Sequence, residues 1–322
     1  MANAALELIE QHDDAAWDAL VDASPQGTVF ARAAFLQALG APVRRFAIAS
    51  QGKPQALVVG VENADGTRLG GYDYTPYLGI LFLNSEDELA RQRVLDEYRL
   101  TEFAVQQLTA RYAALALPLS WKVTDVRPFL WHNYHAPELG TFQLLPRYTA
   151  LLDLNGIDSE TFPAQVRACR RQELRKAAAF TVSDAPDVET FLALYAQTFA
   201  RQDIALPQAQ LALVRRITES ALAQGYGRLS GCATPQGMAA MTLFLFDRRR
   251  AYYLFAANDP AQRNSGAATR LMFENIAYAK ARGMAEFDFV GANSPQRADF
   301  KLSFNPELKL YFEARYQRPA AP

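Results

Sequence analysis

This sequence predicts an α/β chain of the α+β kind. Two similar halves are expected, each a mixed, mostly antiparallel sheet flanked by helices. Three observations lead there. Consecutive apolar segments occur as "RRFAIAS", "PQALVVGVE" and "TRLGGYDY", and again as "YGRLSGCAT", "MAAMTLFLFDR" and "RAYYLFAAND". The turns between them, "QGK", "NADG" and "PQG", contain glycine, as antiparallel meanders require. Each meander is preceded by helical segments and followed by one long helix and then a strand. The order of elements therefore repeats, although the residues scarcely do.

The first half opens with "HDDAAWDALVDAS", a short helix that should bury Trp17, Leu20 and Val21. "ARAAFLQALG" reads as a second helix, closed by Gly40 as a left-handed cap. The meander is next, then "TPYLGILF". After it comes a helix expected from about Glu86 to Tyr112, with Leu89, Val94, Leu95, Tyr98, Phe103, Val105 and Leu108 on one broad buried arc. "LPLSWKVTDVRPFLWHNY" reads as extended chain interrupted by prolines.

In the second half, "RYTALLDL" is a strand, and Asp158 to Ala179 is expected to be helical throughout. "DVETFLALYAQTFARQ" and "QAQLALVRRITESALAQG" are further helices ahead of the second meander. A polar loop and a strong helix come next, then the strand "AEFDFVGA" and a final strand in "KLYFEARYQRP". The boundary is placed after Pro146. The expected domains are residues 1–146 and 147–322, with the last strand free to return to the first.

Composition narrows the functional classes. Half of the 322 residues are hydrophobic, 21% are charged and the formal net charge is −1, which is the profile of a folded globular chain. Sequence-independent binding to DNA needs a broad cationic surface, and no such excess exists here. Two cysteines, Cys169 and Cys232, cannot make a disulfide framework and read as small core residues. His132 and His135 lack neighbours with metal-ligand spacing, so no metal is expected. No apolar run is long enough to span a bilayer, and the start "MANAALELIEQHDDAAW" lacks the pattern of a signal peptide. A cytoplasmic location is the resulting expectation.

The informative segment is "NDPAQRNSGAATRLMFENIAYAKARG". Arg263, Asn264, Ser265, Gly266, Ala267 and Ala268 stand where a helix begins. Its first amides lack intrahelical partners and carry partial positive charge, which attracts anions. Glycine and alanine keep side chains out of the way, and Arg263 supplies a charge-assisted donor. The alternative is a glycine turn with Asn264 or Ser265 as an ordinary helix cap.

This segment resembles the pyrophosphate loop of GNAT acyltransferases, and it lies between a meander strand and a later strand as it does in that family. The tail "FDFVGA…ADFKLSFNPELKLYF" is similar to the C-terminal signature of Fem-type proteins, which carry two tandem GNAT-like domains and a Phe-Lys pair, here Phe300-Lys301. "VRACRRQELRKAAAFTVSDA" also resembles that family's Arg-rich helix leading into a strand. The long coiled-coil insertion of some Fem ligases is absent from this chain. The resemblance implies two tandem GNAT-like domains and transfer of an acyl or aminoacyl group to an amine or hydroxyl, with a cell-envelope precursor among the acceptors. Acyl-coenzyme A is the implied donor, aminoacyl-tRNA the alternative.

Within that frame, Lys301 is expected to stabilise negative charge at the reacting centre. Asp288 alternates with Phe287 and Phe289 and is a base, an orienting group or a structural acceptor; Asp299 is a weaker candidate. "YYLFAAN" is the strand expected to offer backbone N–H groups to the acyl carbonyl. No Ser-His-Asp or Cys-His constellation appears, which fits direct attack. Tyr74, Tyr77, Arg127, Trp131 and Phe300 are the acceptor-binding candidates, with an Asp125–Arg127 contact as the structural alternative for Arg127. Arg167, Arg170, Arg171 and Arg175 form a basic helical arc, either solvated or facing tRNA or a phosphorylated donor. A different class stays open as well: a ligand-binding protein that retains the fold without catalysis.

Overall fold

The computed structural model describes residues 5–83, 89–158, 160–185, 187–200 and 205–319. The chain divides into two compact units, Met1–Arg147 with Leu310–Pro322, and Tyr148–Lys309.

The first unit begins with β1 (Leu6–Glu10), α1 (Asp14–Ala23) and α2 (Ala33–Ala38). β1 is a strand that sequence reading missed; its "LELIE" alternation pairs antiparallel with β2 (Val43–Ser50). Asp13 caps α1 by accepting from the N–H groups of Ala15 and Ala16. Then come β3 (Lys53–Glu62), β4 (Arg68–Gly70), β5 (Gly79–Phe82), α3 (Ala90–Arg111), β6 (Ala114–Pro118) and α4 (Arg127–Trp131). β3 is buried along most of its length because both of its faces are covered, so it reads as a continuous apolar run.

β7 (Phe142–Asp153) begins in the first unit and at Tyr148 enters the second, which then takes up α5 (Phe162–Gln165), α6 (Ala168–Lys176), β8 (Thr181–Asp184), α7 (Val188–Ala200) and α8 (Gln208–Ala223). It continues through β9 (Gly227–Thr234), β10 (Gly237–Phe246), β11 (Arg250–Asn258), α9 (Ala267–Ala281), β12 (Glu286–Asp288) and α10 (Pro295–Leu302). The final strand, β13 (Glu307–Gln317), pairs antiparallel with β6 of the first unit through Glu313–Gln317.

Strand order is β1-β2-β3-β4-β6-β13 in the first unit, with β5 also beside β3, and β7-β12-β11-β10-β9-β8 in the second. In each, one parallel pair stands among antiparallel neighbours: β4 with β6, and β11 with β12. The parallel pair is joined by the unit's longest meander-to-strand helix, α3 or α9, as a crossover connection requires. Each unit has its own core. Phe46, Ile48, Val58, Leu108, Leu117 and Phe129 belong to the first, and Leu152, Phe244, Met272, Phe287, Phe289 and Phe304 to the second.

Three expectations are corrected. The expected buried arc of α3 holds only in its C-terminal half: Leu89, Val94 and Leu95 are exposed, whereas Val105 and Leu108 are buried. Residues 86–88 of that expected helix lie outside the described residues. The helix expected over Asp158 to Ala179 is broken at Val166, where the backbone is extended (φ −84°, ψ 163°) and the side chain is buried in the core. Arg127 to Trp131 form a helix with Pro128 in its first turn, not extended chain.

Candidate active site

The chemistry-bearing feature of the second unit is where two of its strands part. β11 pairs in parallel with β12 through only three residue pairs, ending at Tyr252 and Asp288. β11 then runs on to Asn258, and beyond Tyr252 no described strand pairs with that edge. On its other side, the register against β10 shifts. Phe244 faces Tyr253 and Leu243 faces Phe255, so Leu254 is an extra residue. Such a bulge bends and twists a strand locally and re-aims its groups. The result is a notch along the backbone of residues 253–257, closed at Asn258, whose N–H donates to Thr198 Oγ1 at 3.0 Å.

The other wall is a strained turn. After Asp288 the chain passes through Val290 at φ 49° and Gly291 at φ 73°. A β-branched residue in the left-handed region costs roughly 1–3 kcal/mol and persists only where its surroundings hold it. Two groups hold this one. Asp288 Oδ1 accepts from Val290 N–H at 2.8 Å and from Thr149 Oγ1 at 2.6 Å. Lys301 Nζ donates to the carbonyls of Val290 (2.6 Å) and Gly291 (2.7 Å).

Lys301 is half-buried, and α10 carries it to this turn. Burial pulls its pKa down to about 8. The charge of Asp288 opposes that shift and the charge of Arg297 adds to it. Its Nζ lies 5.7 Å from the centre of the Tyr253 ring, on the strand that forms the notch. Phe300, its neighbour, packs edge-on against Phe304, and the Arg170 guanidinium sits 5.1 Å from its ring centre. Lys301, Asp288 and Phe300 are thus gathered around one strand end. Asp288, however, is fully buried. The bonds it makes are those of the structural acceptor, the alternative left open for it, and they hold the turn. Asp299 points elsewhere, to an ion pair with Arg167 at 2.6 Å.

The loop before α9 differs from the sequence expectation in one respect. Gly266 is the N-cap of α9, at φ 88°. A Cβ there would lie 2.6 Å from the carbonyl oxygen of Glu173. The missing side chain makes room for α6, not for a phosphate. Ala267 N–H donates to Ser265 Oγ at 3.2 Å, Lys176 Nζ donates to Asn264 O at 2.5 Å, and Thr269 Oγ1 donates to the Glu173 carboxylate. Arg170 completes the contact with an ion pair to Glu173 (2.6 Å) and a hydrogen bond to Thr269 Oγ1 (3.1 Å). On the outer side of the loop Arg263 and Asn264 are exposed and Ala268 is half-buried.

Sequence reading missed Thr149, Glu173, Lys176 and Thr269, and it named the strand "YYLFAAN" without its bulge. The Arg-rich segment already drew notice to Arg170. A bulge at Leu254 or a hydroxyl at Thr149 leaves no pattern in a single sequence.

The remaining candidates belong to the first unit. Tyr77 is buried in its core, edge-on to Phe30, Trp121 and Tyr311, with ring centres 6.0, 4.6 and 5.3 Å away. It is a packing residue, and its assignment to an exposed acceptor wall is corrected. Tyr74 is half-buried at φ 64°. Arg127 takes its structural alternative. It forms a two-point ion pair with Asp125 and lies over the rings of Tyr98 and Trp131 at 5.3 and 5.4 Å. Trp131 is half-exposed.

Elsewhere, Cys232 is fully buried, and burial pushes its thiol up to about 11, so no thiolate nucleophile stands there. Among the described residues, no cluster of His, Cys, Asp or Glu is placed to hold a metal, and no helix is long and apolar enough to cross a membrane.

Residues 163–302 match the family model of the acetyltransferase (GNAT) domain. No curated protein sequence matches the chain. Among solved structures, FemX superposes with a TM-score of 0.67 at 13% identity, covering 95% of this chain and 96% of that one. A tandem GNAT protein from the clavulanic acid biosynthesis pathway gives 0.56 at 12% identity, over 98% and 100% of the two chains. L-PGS from Bacillus licheniformis gives 0.50 at 14% identity, over 97% and 94%. At such identities the likeness is one of fold.

Proposed function

We propose that this chain, whose second unit carries a GNAT acetyltransferase domain within a Fem-type tandem fold, transfers an acyl group from an activated carrier to an amine or hydroxyl. The observation that carries the proposal is the notch: β11 outruns its parallel partner at Tyr252 and bulges at Leu254. Backbone N–H groups on such an edge are fixed in direction. They can bind an acyl oxygen as it becomes an oxyanion, with no reorganisation during the reaction.

Lys301 supplies the charge. Its ammonium is held beside Tyr253 by two carbonyls, and a partly desolvated cation there stabilises developing negative charge more than it would in water. Asp288 and Thr149 keep the Val290 turn in place and so position Lys301. Phe300, under Arg170, anchors the same helix. The acceptor attacks the acyl carbon directly, a new C–N or C–O bond forms, and the carrier leaves as its thiol or alcohol. Acyl-coenzyme A is the favoured donor and aminoacyl-tRNA the alternative; exposed Arg263 is the candidate phosphate contact. A cell-envelope precursor is the acceptor class that the FemX-like fold favours.

The test offers acetyl-coenzyme A, a long-chain acyl-coenzyme A and a charged aminoacyl-tRNA, each with amino sugars and peptides as acceptors. Released thiol or uncharged tRNA is measured over time. Turnover with one donor, reduced at least about tenfold in Lys301→Met, supports the proposal. One observation favours a second reading, binding without turnover: α6 already engages the inner side of the donor loop through Glu173 and Lys176. Tight binding with no product from any pair would establish that reading instead.

A further inference from the structure

The two units share one strand plan, and their registers can be matched. In the second, Arg250–Tyr252 run parallel to Glu286–Asp288; in the first, Arg68–Gly70 run parallel to Ala114–Ala116. Each of these strands also lies antiparallel to the preceding one, β10 or β3. Gly70 of the first unit thus stands where Tyr252 stands in the second.

Beyond that position the two units diverge. In the second unit one residue, Leu254, bulges and the strand resumes at once. In the first, β3 pairs Val61 with Gly70 and Val59 with Gly79. Residues 71–78, "GYDYTPYL", therefore loop out opposite Gly60 and return to the same neighbouring strand.

This loop is packed into the unit. Its exit is close to β6: a Cβ on Gly70 would lie 2.8 Å from Ala116 O, and one on Gly71 3.0 Å from Pro118 Cγ. Thr75 is buried, and Thr75 Oγ1 accepts from Tyr72 N–H at 2.6 Å, locking the turn. Tyr77 and Leu78 are buried as well, and Tyr77 is edge-on to Trp121, which comes after β6 as the Val290 turn comes after β12. Two non-glycine residues, Tyr74 and Tyr77, are held in the left-handed region, which only firm packing sustains.

We infer that the first unit's counterpart of the acyl notch is filled by its own residues 71–78, so that each chain takes a single donor molecule, in its second unit. The inference rests on the proposed function for the identity of the donor, but the plug itself does not.

Hydrogen exchange of the full-length chain, with and without acetyl-coenzyme A, tests both parts, with calorimetry for stoichiometry. In the ligand-free protein, the amides of Thr75 and of residues 77–79 should exchange at least about a hundredfold more slowly than in an unstructured peptide. With acetyl-coenzyme A, added protection should appear in 253–268 and not in 68–82, at one molecule per chain. Unprotected exchange over 75–79, donor-dependent protection in 68–82 or a stoichiometry of two overturns the inference. A protected plug with no response to acetyl-coenzyme A anywhere supports the plug and counts against coenzyme A as the donor of the proposed function.

Discussion

Replacing Lys301 by methionine keeps the length of the side chain and removes its charge, which isolates the electrostatics of the candidate site. Burial lowers the folded-state pKa from 10.5 to about 8. Between those values the unfolded chain still binds a proton that the folded chain has released, so stability rises with pH across that window. Below about pH 8 the full penalty of holding a desolvated ammonium is present; above about 10.5 it is gone. At roughly 1.4 kcal/mol per pH unit, the shift corresponds to at most about 3.5 kcal/mol. The measurement is urea unfolding of both proteins at pH 7, 8, 9 and 10.5, taking the wild-type stability minus that of Lys301→Met. Other groups titrate in both proteins and cancel in the difference. That difference should climb by about 2–3 kcal/mol toward high pH. A difference flat to within about 0.5 kcal/mol would mean that water solvates Lys301 freely, and a charge strengthened by desolvation would be refuted.

Three further outcomes are expected. Transferase activity should fall as pH rises through about 8, because the ammonium form is the one that stabilises an oxyanion; Asp288→Asn, which removes a charge that raises the Lys301 pKa, should move that fall to lower pH in a pH–rate profile. Gly266→Ala should lower stability by roughly 1–3 kcal/mol in thermal or urea unfolding, because its Cβ meets the Glu173 carbonyl and its φ is positive; unchanged stability would contradict the packing of α6 on the loop. Tyr77→Ala should cost about 3–5 kcal/mol, whereas Arg127→Ala, at an exposed ion pair, should be far milder; comparable losses would refute the burial difference between them.

By itself the sequence determined the kind of protein. Alternating and continuous apolar runs, cut by glycine turns, give two meanders, and each needs a long helix to reach its parallel strand. Those periodicities come from backbone geometry and survive divergence of the residues. The Phe-Lys pair and the polar segment before α9 were legible as well, because helix ends and charged residues leave local marks. Only the tertiary structure decided what those residues touch. It placed Glu173 against Gly266, buried Asp288 under Thr149, sank Tyr77 among Phe30, Trp121 and Tyr311, and set a bulge at Leu254 against a long plug at 71–78. Each of these depends on a partner distant in sequence, and whether a polar group or ring serves binding or packing is settled by that partner, which local pattern does not encode.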